Sequence, residues 1–171
     1  MAKYWDDKLC HIVNKQIDLE YKASYAYHFL FSYFDRDTVG LKNIAHYFNK
    51  CSLEERDHAH KFMEYQTKRG GAVCFTGIKT PVINMNNNNY DVLEAFKVAY
   101  SLEEEVYNHL LKLHKMGDKC NDPQFCDFIE SEYLEEQIDA MNEIKIYISQ
   151  LERIGDDGHG VWDFDRNFNV E

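Results

Sequence analysis

Apolar side chains recur along this chain in alternating steps of four and three residues, the spacing of one face of an α-helix. Four segments carry the pattern, and their stripes start at Leu9, Ile44, Val92 and Cys126. Helix breakers are scarce, with eight Gly in all and Pro only at positions 81 and 123. Such stripes are typical of the contact seams of a helical bundle. The pattern predicts helices near 7–35, 42–69, 91–117 and 122–152.

Polar residues and glycines indicate where these helices begin and end. Asp6 or Asp7 can cap the first helix, and Asp122 followed by Pro123 makes a favourable start for the fourth. Glycine is common just beyond the last helical residue. Breaks in the helical pattern are therefore expected at Gly40, Gly70, Gly71 and Gly117.

The connections between the helices differ in length. Segments 36–41 and 118–121 are short, so the first and second helices, and the third and fourth, should form antiparallel hairpins. Segment 70–90 is much longer, and fully extended it could cover ~60 Å. It can therefore start the third helix from the far end of the bundle. The apolar tail residues Val161, Trp162, Phe164 and Phe168 predict a short fifth helix at about 159–168, within a single domain spanning 1–171.

Composition limits the classes of partner. A net charge of −11, from 30 acidic and 19 basic residues, disfavours nucleic acid, because phosphate binding needs clustered Lys and Arg. No apolar run is long enough to predict a membrane span. The N-terminal residues lack the apolar core of a secretory signal, and the five cysteines contain no C-x-x-C pair. Reduced thiols and a cytoplasmic location are the resulting expectations.

The predicted seams contain polar residues near the middle of each helix: Glu20, then Glu55 with His58, then Glu103, then Gln137. Buried carboxylates without partners cost several kcal/mol each, and these seams carry no Lys or Arg. Protonation or a polar network could compensate them. A pair of hard cations would do so better, because oxygen-rich ligands with one imidazole suit iron or manganese. A single Glu-x-x-His is common by chance, whereas this set on four seams at one level is specific.

The chain also resembles a known family. The resemblance is carried by NKQIDLEYKASYAYHFLFSYFDRD, LKNIAHYFNKCSLEERDHAHKFMEYQTKRGG, LLKLHKMGDKCNDPQFCDFIESEYLEEQ and GVWDFDRNF, which are similar to animal-type ferritin of the catalytic heavy-chain kind. The resemblance implies a ferritin-like four-helix bundle with a short fifth helix. It also implies a 24-subunit cage that oxidises Fe(II) with O2 at a di-iron centre and stores the ferric product as mineral.

The resemblance assigns roles to individual residues. Glu20, Glu55 and His58 match the tighter iron site, and Glu55 would bridge to a second iron beside Glu103 and Gln137. Tyr27 matches the tyrosine next to the centre, and Glu54 a carboxylate that receives iron in transit. The residues around the family's three-fold channel match His114, Cys126, Asp127 and Glu130. Asp57 matches one of the carboxylates proposed to nucleate mineral, although His60 stands where that group has a Glu.

Other interpretations remain open from the residues themselves. Tyr27 could be ordinary core, Asp57 and His60 a solvated face, and Asp127 with Glu130 plain surface charge. The histidines at 11, 46 and 109 have no partner pattern and are expected at the surface or in packing.

Other functions are also open. A di-iron oxidase with permanently bound iron would carry a second Glu-x-x-His, but Leu134 stands where its Glu would be. A haem-bearing ferritin would use a methionine such as Met63 or Met141. A structural cage subunit or cytokine has no need of the buried Glu and His, and a DNA-binding mini-ferritin would need a basic tail. Iron that is bound weakly favours a storage protein, whose substrate must leave the centre.

Overall fold

A computed structural model describes residues 5–79 and 81–168 of the chain. The helices are α1 (Asp7–Phe34), α2 (Lys42–Lys68), α3 (Asp91–Lys119), α4 (Pro123–Ile129), α5 (Glu135–Ile154) and α6 (Gly158–Asn167). A π-helical turn, Glu130–Leu134, joins α4 and α5 into one continuous rod. Helices α1, α2, α3 and this rod form a four-helix bundle, and α6 docks at one end, which confirms the predicted architecture.

The helix caps follow the local sequence. The Asp6 carboxylate accepts a 2.7 Å hydrogen bond from the backbone N–H of Lys8. The Asp122 carboxylate accepts one of 3.0 Å from the backbone N–H of Phe125. Each bond satisfies an N–H that has no acceptor within its own helix. Gly40 adopts φ +69° in the α1–α2 turn, a conformation that favours glycine.

Gly117 does not end the third helix, and that prediction is wrong. It is a buried residue of α3, which continues to Lys119. A Cβ atom at this position would lie 2.8 Å from Cδ1 of Phe125 and 2.9 Å from Sγ of Cys126. Glycine is therefore present because α4 approaches α3 closely, and not because the helix needs a terminator.

The long connection after α2 runs along the side of α1. Near the start of α1, the Asn14 side chain donates to the backbone oxygen of Ala72 at 3.1 Å and accepts from the N–H of Cys74 at 2.9 Å. Near its end, the hydroxyl of Tyr33 donates to the Asp91 carboxylate, at the first residue of α3. The connection thus travels the length of the bundle, as predicted, and α3 runs parallel to α2.

The hydrophobic core consists of two clusters with a polar layer between them. One cluster surrounds Leu30, Phe48 and Phe96, and the other surrounds Val13, Phe62 and Leu110. In α1, α2 and α3 the core positions between the clusters are polar, although each helix is apolar above and below them. The buried carboxylate and amide side chains of this polar layer are Gln16, Glu20, Glu55, Glu103 and Gln137.

The fourth seam departs from the prediction before the π turn. Cys126 is half-buried and Glu130 is exposed, whereas Phe125 and Ile129 are fully buried. The π turn places one extra residue in the rod. It therefore shifts the buried face of α4 by one position relative to α5, and a stripe extrapolated from a regular α-helix misses this shift.

Helix α6 is held against the N-terminus of α2. The Asp165 carboxylate accepts from the backbone N–H of Ile44 at 2.9 Å, and the Asn43 side chain donates to the Asp165 carbonyl at 2.8 Å. The ring of Phe168 packs 4.8 Å from that of Tyr147, measured between centroids. The fifth helix is therefore docked by polar and aromatic contacts. Among the helices described, none combines the length and apolar character needed to cross a bilayer.

Candidate metal centre

Helices α1 and α2 bring Glu20, Glu55 and His58 together within the polar layer. One ligand atom from each lies within 4.8 Å of the others, and both carboxylates are buried. Nδ1 of His58 is 3.5 Å from Oε2 of Glu55, one helical turn away. Ligand atoms on opposite sides of a first-row metal ion are separated by about 4 Å. The three side chains therefore have the spacing of one metal site.

Glu103 and Gln137 form a second part of the polar layer. The Gln137 amide donates to the backbone oxygen of Glu103 at 3.2 Å and also to its carboxylate. The Tyr27 hydroxyl donates to the other carboxylate oxygen of Glu103. Both oxygens of Glu103 thus have donors, and its carboxylate does not join the group formed by Glu20, Glu55 and His58.

The electrostatics of the layer favour a cation. Burial raises the pKa of Glu20, and neighbouring Glu55 raises it further. Burial also raises the pKa of Glu55, with the charge of Glu103 adding to the effect. Oε2 of Glu20 and Oε2 of Glu55 are buried and accept no hydrogen bond. Two buried acceptors without donors at one place are unusual in a folded protein, and a bound cation would satisfy both.

A cavity of about 360 Å³ connects this layer to the surface between α2 and α5. Its lining includes Cys51, Glu54, Glu55, Glu103, Glu136 and Glu143. Nε2 of His58 lies 3.4 Å from Oε1 of Glu136 at the side of the cavity. Burial lowers the pKa of His58, but the contacts with Glu136 and Glu20 outweigh it, so the net shift is upward. Acidic side chains therefore continue from the buried group toward solvent.

Two polar neighbours of the centre are missed by the sequence analysis. Glu136 lies next to Gln137 but on the half-exposed side of the rod, so a search along buried seams passes over it. Gln16 does lie on the α1 seam, one turn before Glu20, and its amide donates to Oε1 of Glu20 at 2.6 Å. His109 faces Gln16, with Nδ1 2.6 Å from its Oε1. His109 therefore has a polar partner, although no pattern in the sequence around it indicates one.

The remaining predicted residues lie outside the buried group. Glu54 is exposed at the cavity, and Asp57 is exposed beside Arg56, 3.0 Å away.

Nε2 of His114 contacts Oε1 of Glu130 at 2.5 Å, on a different part of the bundle. Asp127, one turn before Glu130, is exposed on α4, and Tyr27 is buried beside Glu103. Within the described ranges, only Glu20, Glu55 and His58 form a cluster of three or more side chains that could hold a metal.

Comparison with known proteins gives one consistent family. A model of the ferritin-like domain matches residues 10–154. Ferritin-2, chloroplastic, from Zea mays is 51% identical over 155 residues, which cover 90% of this chain and 62% of the maize protein. Its counterpart from Arabidopsis thaliana is 52% identical over 165 residues, covering 96% and 64%. Ferritin-3, chloroplastic, from Glycine max is 49% identical over 166 residues, covering 96% and 64%. The chain thus spans less than two thirds of the length of these relatives.

The expected cytoplasmic location is contradicted by these comparisons, because the similar proteins are named as chloroplastic. The five cysteines are free, and free thiols do not distinguish one compartment from another. The predicted fold and the predicted family, in contrast, agree with a match that covers most of the bundle. On this ground the chain belongs to the ferritin family.

Proposed function

We propose that this chain oxidises Fe(II) with O2 at the polar layer and stores the ferric product inside a cage built from copies of itself. The observation that carries the proposal is the pair of buried carboxylate oxygens on Glu20 and Glu55 that accept no hydrogen bond. Family membership supports iron as the cation, and the donor set of carboxylates with one imidazole suits it. Iron is here the substrate and not a permanent cofactor.

In the proposed reaction two Fe(II) ions bind side by side within the layer. Glu20, Glu55 and His58 would hold the first ion, and Glu55 would also reach the second, beside Glu103 and Gln137. Each Fe(II) gives up one electron, and O2 takes up both electrons with two protons to form hydrogen peroxide. The carboxylates favour the ferric product, because added positive charge on the metal strengthens its attraction to them. Tyr27, which donates to Glu103, would keep that carboxylate in place.

The second half of the layer favours release of the product. Gln137 is neutral, and Glu103 already accepts hydrogen bonds from Tyr27 and Gln137. Fewer available charges should make the second ion the more weakly bound of the two. The acidic cavity leading past Glu54 and Glu136 then offers a route away from the buried group. This arrangement suits iron that must leave, and it favours storage over a di-iron oxidase with retained metal.

Storage also requires assembly and a path for iron from outside. The proposed cage is the 24-subunit shell implied by the family resemblance. Its three-fold channel would bring together copies of Asp127, Glu130 and His114, which lie near one another where α3 faces α4 and the π turn. Rings of carboxylates concentrate cations by focusing negative potential. On the inner surface, Asp57 would take part in mineral nucleation.

The test is oxidation of Fe(II) by the purified metal-free protein. Fe(II) is added anaerobically, air-saturated buffer is mixed in, and O2 consumption and ferric absorbance are followed over repeated additions. Wild-type protein should show a fast phase that recurs with each addition. Replacement of Glu55 by Ala together with His58 by Gly should abolish it, because both proposed sites lose a ligand. The matched control places the same changes at exposed positions of two helices, Glu94→Ala with His46→Gly, and should keep the fast phase.

Different outcomes separate the competing functions. A fast phase that occurs once and never recurs, with metal retained after gel filtration, would indicate a di-iron oxidase instead. A structural subunit would oxidise iron no faster than buffer. Sedimentation of the same sample reports assembly, and a particle much smaller than 24 copies of the 20.3 kDa chain would contradict the cage.

A further inference from the structure

A short chain of hydrogen bonds leads from the metal centre to the side of the bundle formed by α1 and α3. Oε1 of Glu20 accepts from Nε2 of Gln16 at 2.6 Å. Oε1 of Gln16 lies 2.6 Å from Nδ1 of His109. Gln16 is completely buried, whereas His109 is half-buried. The two residues belong to different helices, so their contact depends on how α1 packs against α3.

The direction of each hydrogen bond in this chain is fixed by chemistry. Once Glu20 is ionised to hold a metal ion, its oxygens can only accept, so Gln16 must present its N–H to Glu20. Its carbonyl oxygen then faces His109 and also accepts only. His109 must therefore carry a proton on Nδ1. If that donor were absent, the Gln16 amide would lose the contact that orients it, and in the flipped orientation its carbonyl would face the carboxylate of Glu20.

This orientation determines which oxygen of Glu20 remains available. Oε1 is occupied by Gln16, whereas Oε2 is buried, has no donor, and belongs to the side chain grouped with Glu55 and His58. The amide thus restrains rotation of the carboxylate and reserves one oxygen for a metal. Hydrogen bonds that orient a ligand in this way commonly change metal affinity by about 10–100-fold.

The surroundings of His109 keep its ring neutral. Lys15 and Lys112 lie close to the ring and lower its pKa, whereas Glu105 acts in the opposite direction. These three side chains also line a cavity of about 460 Å³. Burial, followed by Lys112 and Lys15, lowers the pKa of His109 to about 4. Near neutral pH the ring therefore has one proton to place. The contact with Gln16 favours Nδ1 for that proton, which leaves Nε2 as the acceptor.

We propose that His109 is a positioning residue for the metal centre, acting through Gln16 to orient Glu20 so that Oε2 is presented to the bound ion. The inference rests on the proposed function, since it assumes that Glu20, Glu55 and His58 bind metal. His109 touches neither the metal nor its ligands, so its effect should appear in metal affinity and coordination and not only in stability.

The experiment measures Co(II) binding to the metal-free assembled protein by calorimetry and visible absorption. His109→Leu removes the donor and should weaken Co(II) binding on the order of 10-fold and alter the ligand-field spectrum. His109→Asn places an N–H donor where Nδ1 lies and should restore the wild-type affinity and spectrum. His11→Leu, an exposed substitution of the same kind near the start of α1, should change neither.

A double-mutant cycle tests whether the effect passes through Gln16. Gln16→Leu alone should weaken Co(II) binding, and adding His109→Leu to it should cause no further loss. The inference would be overturned if His109→Leu weakened Co(II) binding equally with Gln16 present and with Gln16 replaced by Leu. It would also be overturned if His109→Leu bound Co(II) with wild-type affinity. Either result would leave the proposed function intact. A wild-type protein that binds no Co(II) would overturn the proposed function, and the inference with it.

Discussion

Replacing Glu55 by Gln should have opposite effects on the metal-free and the metal-bound protein. Glu55 is 5% exposed, its Oε2 accepts no hydrogen bond, and Glu20 beside it has the same deficit. Gln has nearly the same shape, carries no charge, and brings two N–H donors toward these oxygens. The substitution therefore removes like-charge repulsion and can satisfy an acceptor on Glu20 without creating a cavity.

The size of the effect follows from the cost of the groups involved. An unsatisfied buried acceptor costs roughly 1–3 kcal/mol, and more when it is charged. Glu55→Gln should therefore raise the stability of the metal-free protein by about 1–3 kcal/mol. In a chain of this size each kcal/mol corresponds to about 2–4 °C in Tm. The gain should be larger at pH 8 than at pH 6, since the wild-type carboxyl is more fully ionised at the higher pH.

Scanning calorimetry in the presence of a chelator, and then with added Co(II), checks both halves of this prediction. Wild-type Tm should rise with Co(II), whereas Glu55→Gln should start higher and gain little. Glu152→Gln, an exposed substitution on α5, serves as the control and should follow the wild type in both conditions. A lower Tm for metal-free Glu55→Gln would refute the reasoning, because it would mean that Glu55 already belongs to a satisfied polar network.

Three further predictions follow from burial and close contacts. The pKa of Glu20 is raised above its usual 4.5. Above that pH the folded metal-free protein therefore binds more protons than the unfolded chain. Its Tm should consequently fall as pH rises from about 5 to 8. Asp91→Ala should lower stability by about 2–4 kcal/mol, because Asp91 accepts from Tyr33 and from two backbone N–H groups. Gly117→Ala should lower stability by about 1–3 kcal/mol, because its Cβ would lie 2.8 Å from a ring carbon of Phe125.

Each of these has a specific control. Glu20→Gln should flatten the pH dependence of Tm, and an unchanged slope would assign it to other groups. Tyr33→Phe should cost less than Asp91→Ala, because it removes one donor and leaves the backbone contacts of Asp91. A Cβ atom at Gly155 would meet no close contact, so Gly155→Ala measures the strain of a positive φ alone. If Gly117→Ala were as stable as the wild type, this would contradict the close approach of α4 to α3.

The sequence predicts the straight helices well because burial along a regular helix has a fixed period. Every position of the seam from Leu9 to Phe34 is buried, including Gln16 and Glu20. The same holds from Val92 to Leu113, where Glu103 is the polar member. Polar residues at buried positions of a regular stripe are visible in the sequence alone, and for this reason the sequence predicts Glu20, Glu55, Glu103 and Gln137 as candidate ligands.

What the sequence does not predict depends on contacts between helices or on departures from regular geometry. The π turn leaves no clear mark in the sequence of Glu130–Leu134, so a regular stripe predicts the buried face of α4 one residue too far along. Gly117 has the residue type of a helix terminator but the surroundings of a packing contact. His109 becomes significant only when α1 and α3 are packed together, because its partner Gln16 lies far away in the chain.

Because of the π turn, the buried face of α4 is offset by one residue from the buried face of α5, although the two helices form one continuous rod. Removing a single residue from Glu130–Leu134 would restore regular α-helical bonding and rotate α4 by about 100° relative to α5. Phe125 and Ile129 would then leave the core if Gln137 kept its contact with Glu103. A rod of uniform geometry can pack its first turns against α3 or direct Gln137 into the polar layer, but not both. The irregular turn at Glu130–Leu134 thus adjusts the two ends of the rod to each other, and its length is constrained by residues outside it.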